Sequence, residues 1–249
     1  MDFCNILGVN IAVTNLSETV RYIEENLEEL RGNYICISNV HTTVTAYEDE
    51  EYRKIQNGGA LALPDGKPLS IVSKKRGFKN AERVTGPDLM GALFKESEEK
   101  GYKHYFYGST QETLELLKIK LNEKYPKLNI VGMYSPPFKS EVSLENDDIL
   151  NEINSKGVDF LWVGLGAPKQ EKWMQIHKNK VNAIMVGVGA GFDYYAEKIK
   201  RAPIWMQKCS LEWLYRLMQD PKRLFNRYLK TNIKFLLKIT KENKRRRGL

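Results

Sequence analysis

Short apolar segments alternate with longer helical patterns through most of the chain, and this alternation limits the fold more than any other feature of the sequence. The predicted strands are residues 34–38, 60–63, 104–107, 130–133, 159–163 and 183–188, and the predicted helices are residues 17–30, 86–100, 110–124 and 147–156. Ser17, Thr110 and Asp147 are candidate N-caps for three of these helices. The alternation predicts a Rossmann-like α/β fold, in which helices cover both faces of a mainly parallel sheet. In such folds ligands bind beyond the carboxyl ends of the strands.

The pattern changes after Arg201. Two helices are predicted there, one over residues 211–218 and one that starts near Pro221, a residue that suits the first turn of a helix. The second helix carries six cations at helical spacing, which places them in one stripe: Arg223, Arg227, Lys230, Lys234, Lys238 and Lys241. Its apolar side is predicted to consist of Leu224, Tyr228, Leu229, Phe235, Leu236 and Ile239. We therefore divide the chain into an α/β domain, residues 1–195, and a basic helical appendage, residues 196–249.

Positive charge is concentrated in the appendage. Residues 201–249 contain 14 Lys and Arg against three acidic residues, a net charge of +11, whereas the whole chain of 249 residues carries +8. A mildly acidic body with a basic tail points to an anionic partner, either nucleic acid, a phosphorylated ligand or an anionic membrane surface. One cationic stripe suits a flat membrane surface better than a nucleic-acid groove, so we expect no nucleic-acid partner. The alternative is a helix docked on the core whose cationic face is solvated.

Several classes of protein are not expected. No apolar run approaches the ~20 residues of a membrane-spanning helix, and the N-terminus has no signal-peptide pattern, so we expect a cytoplasmic protein. Cys4, Cys36 and Cys209 are widely spaced and form no CxxC motif. The three histidines are scattered and no Asp-x-Asp motif occurs, so the sequence predicts neither a metal site nor a cofactor.

One aspartate, Asp65, follows the second predicted strand between Pro64 and Gly66. An aspartate held rigidly at the carboxyl edge of a sheet can act as a general base toward a hydroxyl group. The alternative is a turn aspartate whose side chain hydrogen-bonds its own backbone.

Two glycine-rich segments follow the last two predicted strands. GLGAPKQE begins at Gly164, and GVGAGFD begins at Gly187. Glycines allow the backbone to approach a phosphate, and a helix N-terminus favours anions, so we expect the two loops to lie side by side at one edge of the sheet. GLGAPKQE lacks the third glycine of GxGxxG, and no acidic ribose ligand follows at the expected distance. Both absences argue against the alternative of a dinucleotide-dependent oxidoreductase.

Seven segments resemble, in this order, the WecG/TagA/CpsF family of glycosyltransferases: SNVHTTVTAYED, LPDGKPL, ERVTGPDLM, YFYGS, LGAPKQEKW, GVGAGFDYYAEKIKRAP and LEWLYRLMQDPKRL. The resemblance implies the transfer, with inversion and without a metal, of an N-acetylmannosamine-type sugar from a UDP donor to undecaprenyl-diphosphate-linked N-acetylglucosamine. In the TagA branch this is the first committed step of the wall teichoic acid linkage unit. The resemblance also implies an appendage that helps to complete the active site and meets the inner face of the cell membrane as a peripheral anchor.

The donor sugar has alternatives within the family. Relatives use UDP-N-acetylmannosaminuronic acid or glucose-type donors for other surface polysaccharides. A uronic acid would require an additional cation near the sugar, and the sequence assigns none. We therefore expect the uncharged N-acetylmannosamine.

The resemblance also implies roles for individual residues. Asp65 is the implied base, which deprotonates the acceptor hydroxyl as UDP leaves from the opposite face. Asn39 and Gln170 are the implied donor-sugar and pocket ligands, and Arg83 is implied to face the substrate phosphates. Arg216 and Arg223 are implied to neutralise the leaving diphosphate in place of a metal ion, with Arg227 as a looser candidate.

Two positions depart from the family pattern. Glu197 stands where the family usually has glycine, and Cys209-Ser210 stands where a glycine usually precedes LEWLYR. Both positions concern the backbone at the junction with the appendage rather than the chemistry. The sequence does not determine the oligomeric state, but a homo-oligomer is one way to cover an amphipathic helix in solution.

Overall fold

Residues 1–137, 147–209 and 211–246 are described by a computed structural model, without the side chains of Lys208, Arg223, Asn226 and Arg227. The strands of the described residues are β1 (Asp2–Ile6), β2 (Val9–Val13), β3 (Tyr34–Ser38), β4 (Leu61–Pro64), β5 (Lys103–Gly108), β6 (Asn129–Tyr134), β7 (Phe160–Gly164) and β8 (Ile184–Gly187). The helices are α1 (Leu16–Glu25), α2 (Leu27–Leu30), α3 (Val40–Glu48), α4 (Glu50–Gly58), α5 (Lys67–Lys75), α6 (Gly86–Lys100), α7 (Gln111–Lys124), α8 (Asp147–Ser155), α9 (Lys169–His177), α10 (Gly191–Tyr195), α11 (Ile204–Lys208), α12 (Glu212–Gln219) and α13 (Pro221–Arg246).

The six predicted strands form one sheet, with the order β4-β3-β8-β7-β5-β6. Every neighbouring pair in this sheet is parallel. The predicted α/β fold is therefore confirmed, and the predicted strand ends agree with the observed ones to within about two residues.

Both faces of the sheet are buried under helices. Tyr34 and Cys36 point into one apolar cluster, whereas Ile35 and Ile37 point into the other. The second cluster contains residues of α1, α2, α6, α7 and α10, and the first contains residues of α3, α4, α5, α8, α9 and α13. The edge strand β6 is partly exposed, whereas the other five strands are almost entirely buried. These five therefore read as continuous apolar runs rather than alternating ones.

The N-terminal hairpin was not among the sequence predictions. Strands β1 and β2 pair antiparallel, and the turn between them consists of Leu7 and Gly8, with φ angles of +51° and +89°. Two consecutive positive φ angles are typical of a type I′ turn, which usually carries Asn-Gly. Leu7 stands at the first turn position, where asparagine is usual, so the sequence did not indicate this turn. Helices α3, α4 and α5 were also missed, and the sequence of α3, VHTTVTAYE, is rich in β-branched residues that favour helices only weakly.

The predicted helix starts are corrected in two cases. Ser17 is not the N-cap of α1; Asn15 is, because its side chain accepts a hydrogen bond of 3.0 Å from the Glu18 amide. The predicted helix over residues 17–30 is divided at Asn26 into α1 and α2. Thr110 is confirmed as an N-cap, accepting from the Thr113 amide at 3.2 Å. Asp147, the third candidate, is the first residue of α8 rather than its N-cap, and the N-cap position, residue 146, lies outside the described residues.

Helix α13 has three faces rather than the two predicted ones. Leu224, Phe235 and Ile239 are buried, and Phe235 and Ile239 belong to the first apolar cluster. A second group of apolar residues is exposed. It consists of Phe225, Leu229, Ile233 and Leu236, which are four, four and three residues apart, and of Leu237 next to Leu236. The predicted apolar side therefore combines residues of a docked face and of an exposed face. Lys230, Lys234, Lys238 and Lys241 of the cationic stripe border the exposed apolar face on its other side, while the side chains of Arg223 and Arg227 lie outside the described residues.

Candidate active site

Four features that the sequence analysis singled out lie along one edge of the sheet. Asp65 follows β4, Asn39 follows β3, and the two glycine-rich loops follow β8 and β7. Because β4, β3, β8 and β7 are consecutive neighbours in a parallel sheet, their carboxyl ends are adjacent. The prediction that the two glycine-rich loops lie side by side is confirmed, since β7 pairs with β8 along its length.

Backbone hydrogen bonds on both sides fix the position of Asp65. Its amide donates to the Ser38 carbonyl at 2.7 Å, and the Val84 amide donates to the Pro64 carbonyl at 2.9 Å. Gly66 then turns the chain into α5 with a φ of +94°, a value that favours glycine. Among the residues that the structure describes, none donates a hydrogen bond to the Asp65 carboxylate. The alternative of a turn aspartate that bonds its own backbone therefore does not describe this residue.

The surroundings of Asp65 raise its pKa. Burial has the largest effect and the nearby Glu212 carboxylate adds to it, so the pKa of Asp65 rises from 3.8 to about 6. The guanidinium groups of Arg216 and Arg83 act in the opposite direction. The result is a carboxylate that is ionised at neutral pH but is a much better proton acceptor than an ordinary aspartate.

Asn39, a predicted donor ligand, is the N-cap of α3. Its side-chain oxygen accepts hydrogen bonds from the amides of His41 at 3.0 Å and Thr42 at 3.2 Å. The Thr42 hydroxyl in turn accepts from the Asn39 amide at 2.8 Å, which completes a capping box. The oxygen of this side chain therefore caps the helix, and a contact of its NH2 group with a donor sugar stays a prediction.

Gln170 joins the two glycine-rich loops. Its side-chain oxygen accepts hydrogen bonds from the amides of Gly166 at 3.1 Å and Gly189 at 2.9 Å. Its NH2 group donates to Glu171 at 2.9 Å. Gln170 is 3% exposed and Glu171 is fully buried, and burial raises the pKa of Glu171. The structure thus gives Gln170 a structural task at the loops, while its direct contact with a donor sugar stays a prediction.

Arg83 is part of a closed ring of alternating charges, which we call the charge ring. Arg83 lies 2.5 Å from Glu212 and 3.9 Å from Asp88, measured between the closest charged atoms. Arg201 lies 2.6 Å from Asp88 and 3.9 Å from Glu212. The ring joins the loop before α6, the first turn of α6, the segment before α11 and the first residue of α12. The predicted contact of Arg83 with substrate phosphates stays a prediction.

Arg216 extends from α12 toward the same region. Its guanidinium carbon lies 5.6 Å from the centre of the Tyr194 ring, within the range of a cation–π contact. Within the described part of the chain, Arg216 forms no ion pair, and its charge acts on the pKa of Asp65. The side chains of Arg223 and Arg227, the two other predicted appendage cations, lie outside the described residues.

Three residues of this region received no role from the sequence: Asp88, Arg201 and Glu212. All three lie inside segments that carry the family resemblance, namely GPDLM, KIKRAP and LEWLYR. The one local signal was the four-residue spacing of Glu212 and Arg216, which places both on one face of α12. Nothing in the sequence showed which distant residues that face would meet.

The described residues contain no group of three or more His, Cys, Asp or Glu side chains arranged to hold a metal ion. His104 has a structural place in the core. It accepts from the Trp162 indole at 3.0 Å and contacts the Ser97 hydroxyl at 2.8 Å, and burial lowers its pKa to about 3. In the same part of the chain, no helix has both the length and the apolar character that crossing a bilayer requires.

Comparisons with known proteins agree with this picture. The model of a family described as "Glycosyl transferase WecG/TagA/CpsF family" matches residues 4–249. An N-acetylglucosaminyldiphosphoundecaprenol N-acetyl-beta-D-mannosaminyltransferase of Bacillus subtilis strain 168 is 28% identical over 245 residues, which cover 98% of this chain and 92% of the relative. A protein of the same description from Staphylococcus aureus strain MW2 is 27% identical over 244 residues, which cover 97% of this chain and 93% of the relative.

Proposed function

The chain belongs to the WecG/TagA/CpsF family of glycosyltransferases, and from that premise we propose that it transfers N-acetylmannosamine from a UDP donor to undecaprenyl-diphosphate-linked N-acetylglucosamine. The names of both relatives contain this sugar and this acceptor. The proposed reaction inverts the anomeric carbon, needs no metal ion and belongs to the synthesis of the wall teichoic acid linkage unit.

The environment of Asp65 is the observation that carries the proposal. A hydroxyl nucleophile becomes reactive when a nearby base removes its proton as the new bond forms. Asp65 is held rigidly at the carboxyl edge of the sheet, and the raised pKa of its carboxylate suits that task. In the proposed reaction Asp65 takes the proton of the acceptor hydroxyl, the oxygen attacks the anomeric carbon, and UDP leaves from the opposite face.

Fixed cations are proposed to replace a metal ion at the leaving diphosphate. Negative charge that develops on a leaving group is stabilised by preorganised cations and backbone N–H groups. Arg216 is free of ion pairs among the described residues and lies near Asp65, while Arg83 lies in the charge ring beside it. The glycine-rich loops, which Gln170 holds together, offer backbone N–H groups at the same edge.

The appendage, residues 196–249, is proposed to complete the site and to bind the anionic inner face of the cell membrane. Helix α13 presents an exposed apolar face next to a cationic stripe, the combination found in helices that lie in a membrane interface. Within the cationic stripe, the Nζ atoms of Lys234 and Lys238 lie 2.9 and 3.9 Å from the carboxylate of Glu48 on α3. These two lysines therefore also form ion pairs within the chain. A polyprenyl acceptor resides in the membrane, so a site docked there meets its substrate in two dimensions.

The test is a transfer assay with UDP-N-acetylmannosamine and a short-chain lipid diphosphate–N-acetylglucosamine. The assay is run with EDTA and, in parallel, with Mg²⁺, on the full chain and on a truncation that ends at Tyr195. We expect equal rates with EDTA and Mg²⁺, a β-linked product by NMR, and no transfer by the truncated chain.

Other results would change the proposal in defined ways. Transfer only from UDP-N-acetylmannosaminuronic acid or a glucose-type donor would reassign the sugar. Activity that EDTA abolishes would contradict metal independence. Transfer by the truncated chain at the full rate would contradict a catalytic role for the appendage.

A further inference from the structure

We propose that Glu212 is a positioning residue of the catalytic centre: by closing the charge ring it anchors α12, so that Arg216 on the same helix face lies opposite Asp65. This inference deepens the proposed function and rests on it. It assigns to Glu212, an acidic residue of the appendage, the task of holding α12 in place.

The contacts of Glu212 join two parts of the chain. Its two carboxylate oxygens face Arg83 and Arg201, at 2.5 Å and 3.9 Å. Without Glu212, both arginines would share the single carboxylate of Asp88 and leave uncompensated positive charge in a partly buried ring. The ring therefore favours one placement of α12 over others.

Arg216 follows Glu212 by one helical turn, so the two side chains extend from the same face of α12. The guanidinium of Arg216 contacts the Tyr194 ring, and among the described residues no carboxylate lies within ion-pair distance of it. A cation–π contact alone fixes a long side chain only weakly. The position of Arg216 therefore depends on how α12 is docked, and the 2.5 Å ion pair of Glu212 with Arg83 ties the start of α12 to the loop before α6.

The groups that face Asp65 come from four elements. Glu212 and Arg216 belong to α12, Arg83 to the loop before α6, Asp88 to α6, and Tyr194 to α10. If Glu212 holds Arg216 opposite Asp65, the charge of Arg216 lowers the pKa of Asp65 only while Glu212 is present. The loss of Glu212 is therefore expected to be visible at Asp65 itself.

The experiment compares Glu212→Gln with Glu242→Gln in the full chain. Glu242 is the matched control because its carboxylate docks the far end of the appendage, 3.0 Å from Arg76 on the domain. The titration of Asp65 is followed by carboxyl ¹³C NMR, with its resonance assigned by Asp65→Asn. Adding Arg216→Ala, which removes a cation, is expected to raise the midpoint by roughly half a unit or more in the unaltered chain and in Glu242→Gln, but to leave it unchanged in Glu212→Gln.

Kinetics give the second readout. We expect kcat of Glu212→Gln to fall about tenfold at pH 8, with partial recovery in Glu212→Asp. The double variant Glu212→Gln/Arg216→Ala is expected to be no slower than Arg216→Ala alone, because both changes remove the same contribution.

Each outcome decides between the alternatives. If Arg216→Ala raises the Asp65 midpoint equally in Glu212→Gln and in the unaltered chain, or if the rate losses in the double variant are fully additive, the inference is overturned and Glu212 is a fold contact. Absence of transfer by the unaltered chain with every donor would overturn the proposed function. The NMR titration does not depend on turnover, so the two failures are distinguishable.

Discussion

The catalytic value of Asp65 depends on a balance of charges around one carboxyl group. Burial and Glu212 raise its pKa, while Arg216 and Arg83 lower it, and the outcome is a value of about 6. A base with a pKa close to the working pH combines a useful ionised fraction with proton affinity. An aspartate with the ordinary pKa would be ionised as well, but it would accept a proton less readily.

Asp65→Asn is expected to slow transfer by at least ~100-fold, because an amide cannot take the proton of the acceptor hydroxyl. The measurement is kcat at saturating donor and acceptor, together with UDP affinity by calorimetry. UDP affinity is expected to stay within about twofold, since the carboxylate acts on the acceptor. Normal turnover of this variant would exclude Asp65 as the base.

The stability of the same variant provides the control for misfolding. The folded-state pKa of Asp65 lies above its usual value, so the fold disfavours the ionised form. Asn cannot ionise, and the variant is expected to be at least as stable as the unaltered chain above pH 6. Below about pH 4, where the aspartate is protonated in both folded and unfolded chains, this advantage is expected to vanish. Thermal unfolding at pH 8 and pH 4 checks both expectations.

The pH dependence of kcat/KM follows from the same pKa. If Asp65 must be ionised to act, kcat/KM is expected to fall about tenfold per pH unit below about 6 and to level off above it. A profile whose acidic midpoint lies near 4 would mean that the free enzyme does not raise the pKa of its base. Steady-state rates between pH 4.5 and pH 8.5 provide the measurement.

Glu197, the residue that departs from the family pattern, has a φ of +56°. This is the left-handed region that glycine adopts without cost and that costs other residues about 1 kcal/mol. Glu197→Gly is therefore expected to raise the free energy of unfolding by about 0.5–1 kcal/mol.

The matched control is Glu197→Ala, which keeps the strain. Both variants lose the contact with Lys120, but Glu197 is 70% exposed, so this ion pair contributes little. Urea unfolding is expected to show a gain for glycine and none for alanine. Equal stability of the two variants would contradict the strain at this position.

At the scale of elements, the site depends on two loops from neighbouring strands that one side chain holds together. Gln170 belongs to the first turn of α9 and bonds the loop that precedes it as well as the loop after β8. Glu171 accepts from the amide NH2 and thereby directs the side-chain oxygen toward the two glycine N–H groups. The pair converts two separate glycine-rich loops into a single surface.

Gln170→Ala is expected to lower the free energy of unfolding by ~1–3 kcal/mol, because two loop N–H groups lose their acceptor. The KM for the UDP-sugar is expected to rise several-fold, since the loops no longer share one geometry. Gln111→Ala on α7 is the matched control, as Gln111 is exposed and bonds Glu115 at 3.0 Å. A destabilised Gln170→Ala with an unchanged donor KM would restrict Gln170 to a structural role.

At the scale of the whole molecule, α13 ties the end of the chain to its beginning. Glu242 accepts from the Leu7 amide at 3.2 Å and from Arg76 at 3.0 Å, while Phe235 and Ile239 pack into the core. The docked face therefore has its partners within the chain. The side chains of the exposed apolar face are between 49% and 68% exposed, which leaves this face for a partner outside the chain.

The double variant Leu229→Ser/Leu236→Ser is expected to weaken binding to vesicles that contain anionic phospholipid by at least ~10-fold. The two leucines are 49% and 62% exposed, so the fold loses little. Ile119→Ser, at a 53% exposed position of α7, is the matched control and is expected to bind normally. Cosedimentation at two salt concentrations measures the effect.

A different outcome would identify a different partner for this face. If the unaltered chain forms a dimer in analytical ultracentrifugation and the double variant is monomeric with normal vesicle binding, a second copy covers the exposed apolar face. In that case the membrane-binding proposal for this face would be wrong.

The sequence by itself determined the features that depend on local periodicity and residue type. The alternation of strands and helices predicted the fold class, because burial on both faces requires apolar runs of a definite length. The positions of Asp65 and the glycine-rich loops followed from the same pattern, since each comes directly after a predicted strand. The start of α13 at Pro221 followed from residue type, and the spacing of the lysines and arginines predicted a cationic stripe along this helix.

The tertiary structure alone decided which of these features meet. The strand order places β8 between β3 and β7, and no local pattern encodes the choice of neighbour. The charge ring joins Arg83 and Asp88 to Arg201 and Glu212, which are more than a hundred residues away in the chain. The apolar residues of α13 were divided into a docked and an exposed face by the shape of the core beneath them. These arrangements depend on packing between segments that are distant in the sequence. The packing energy arises where two surfaces meet, so neither segment alone determines it.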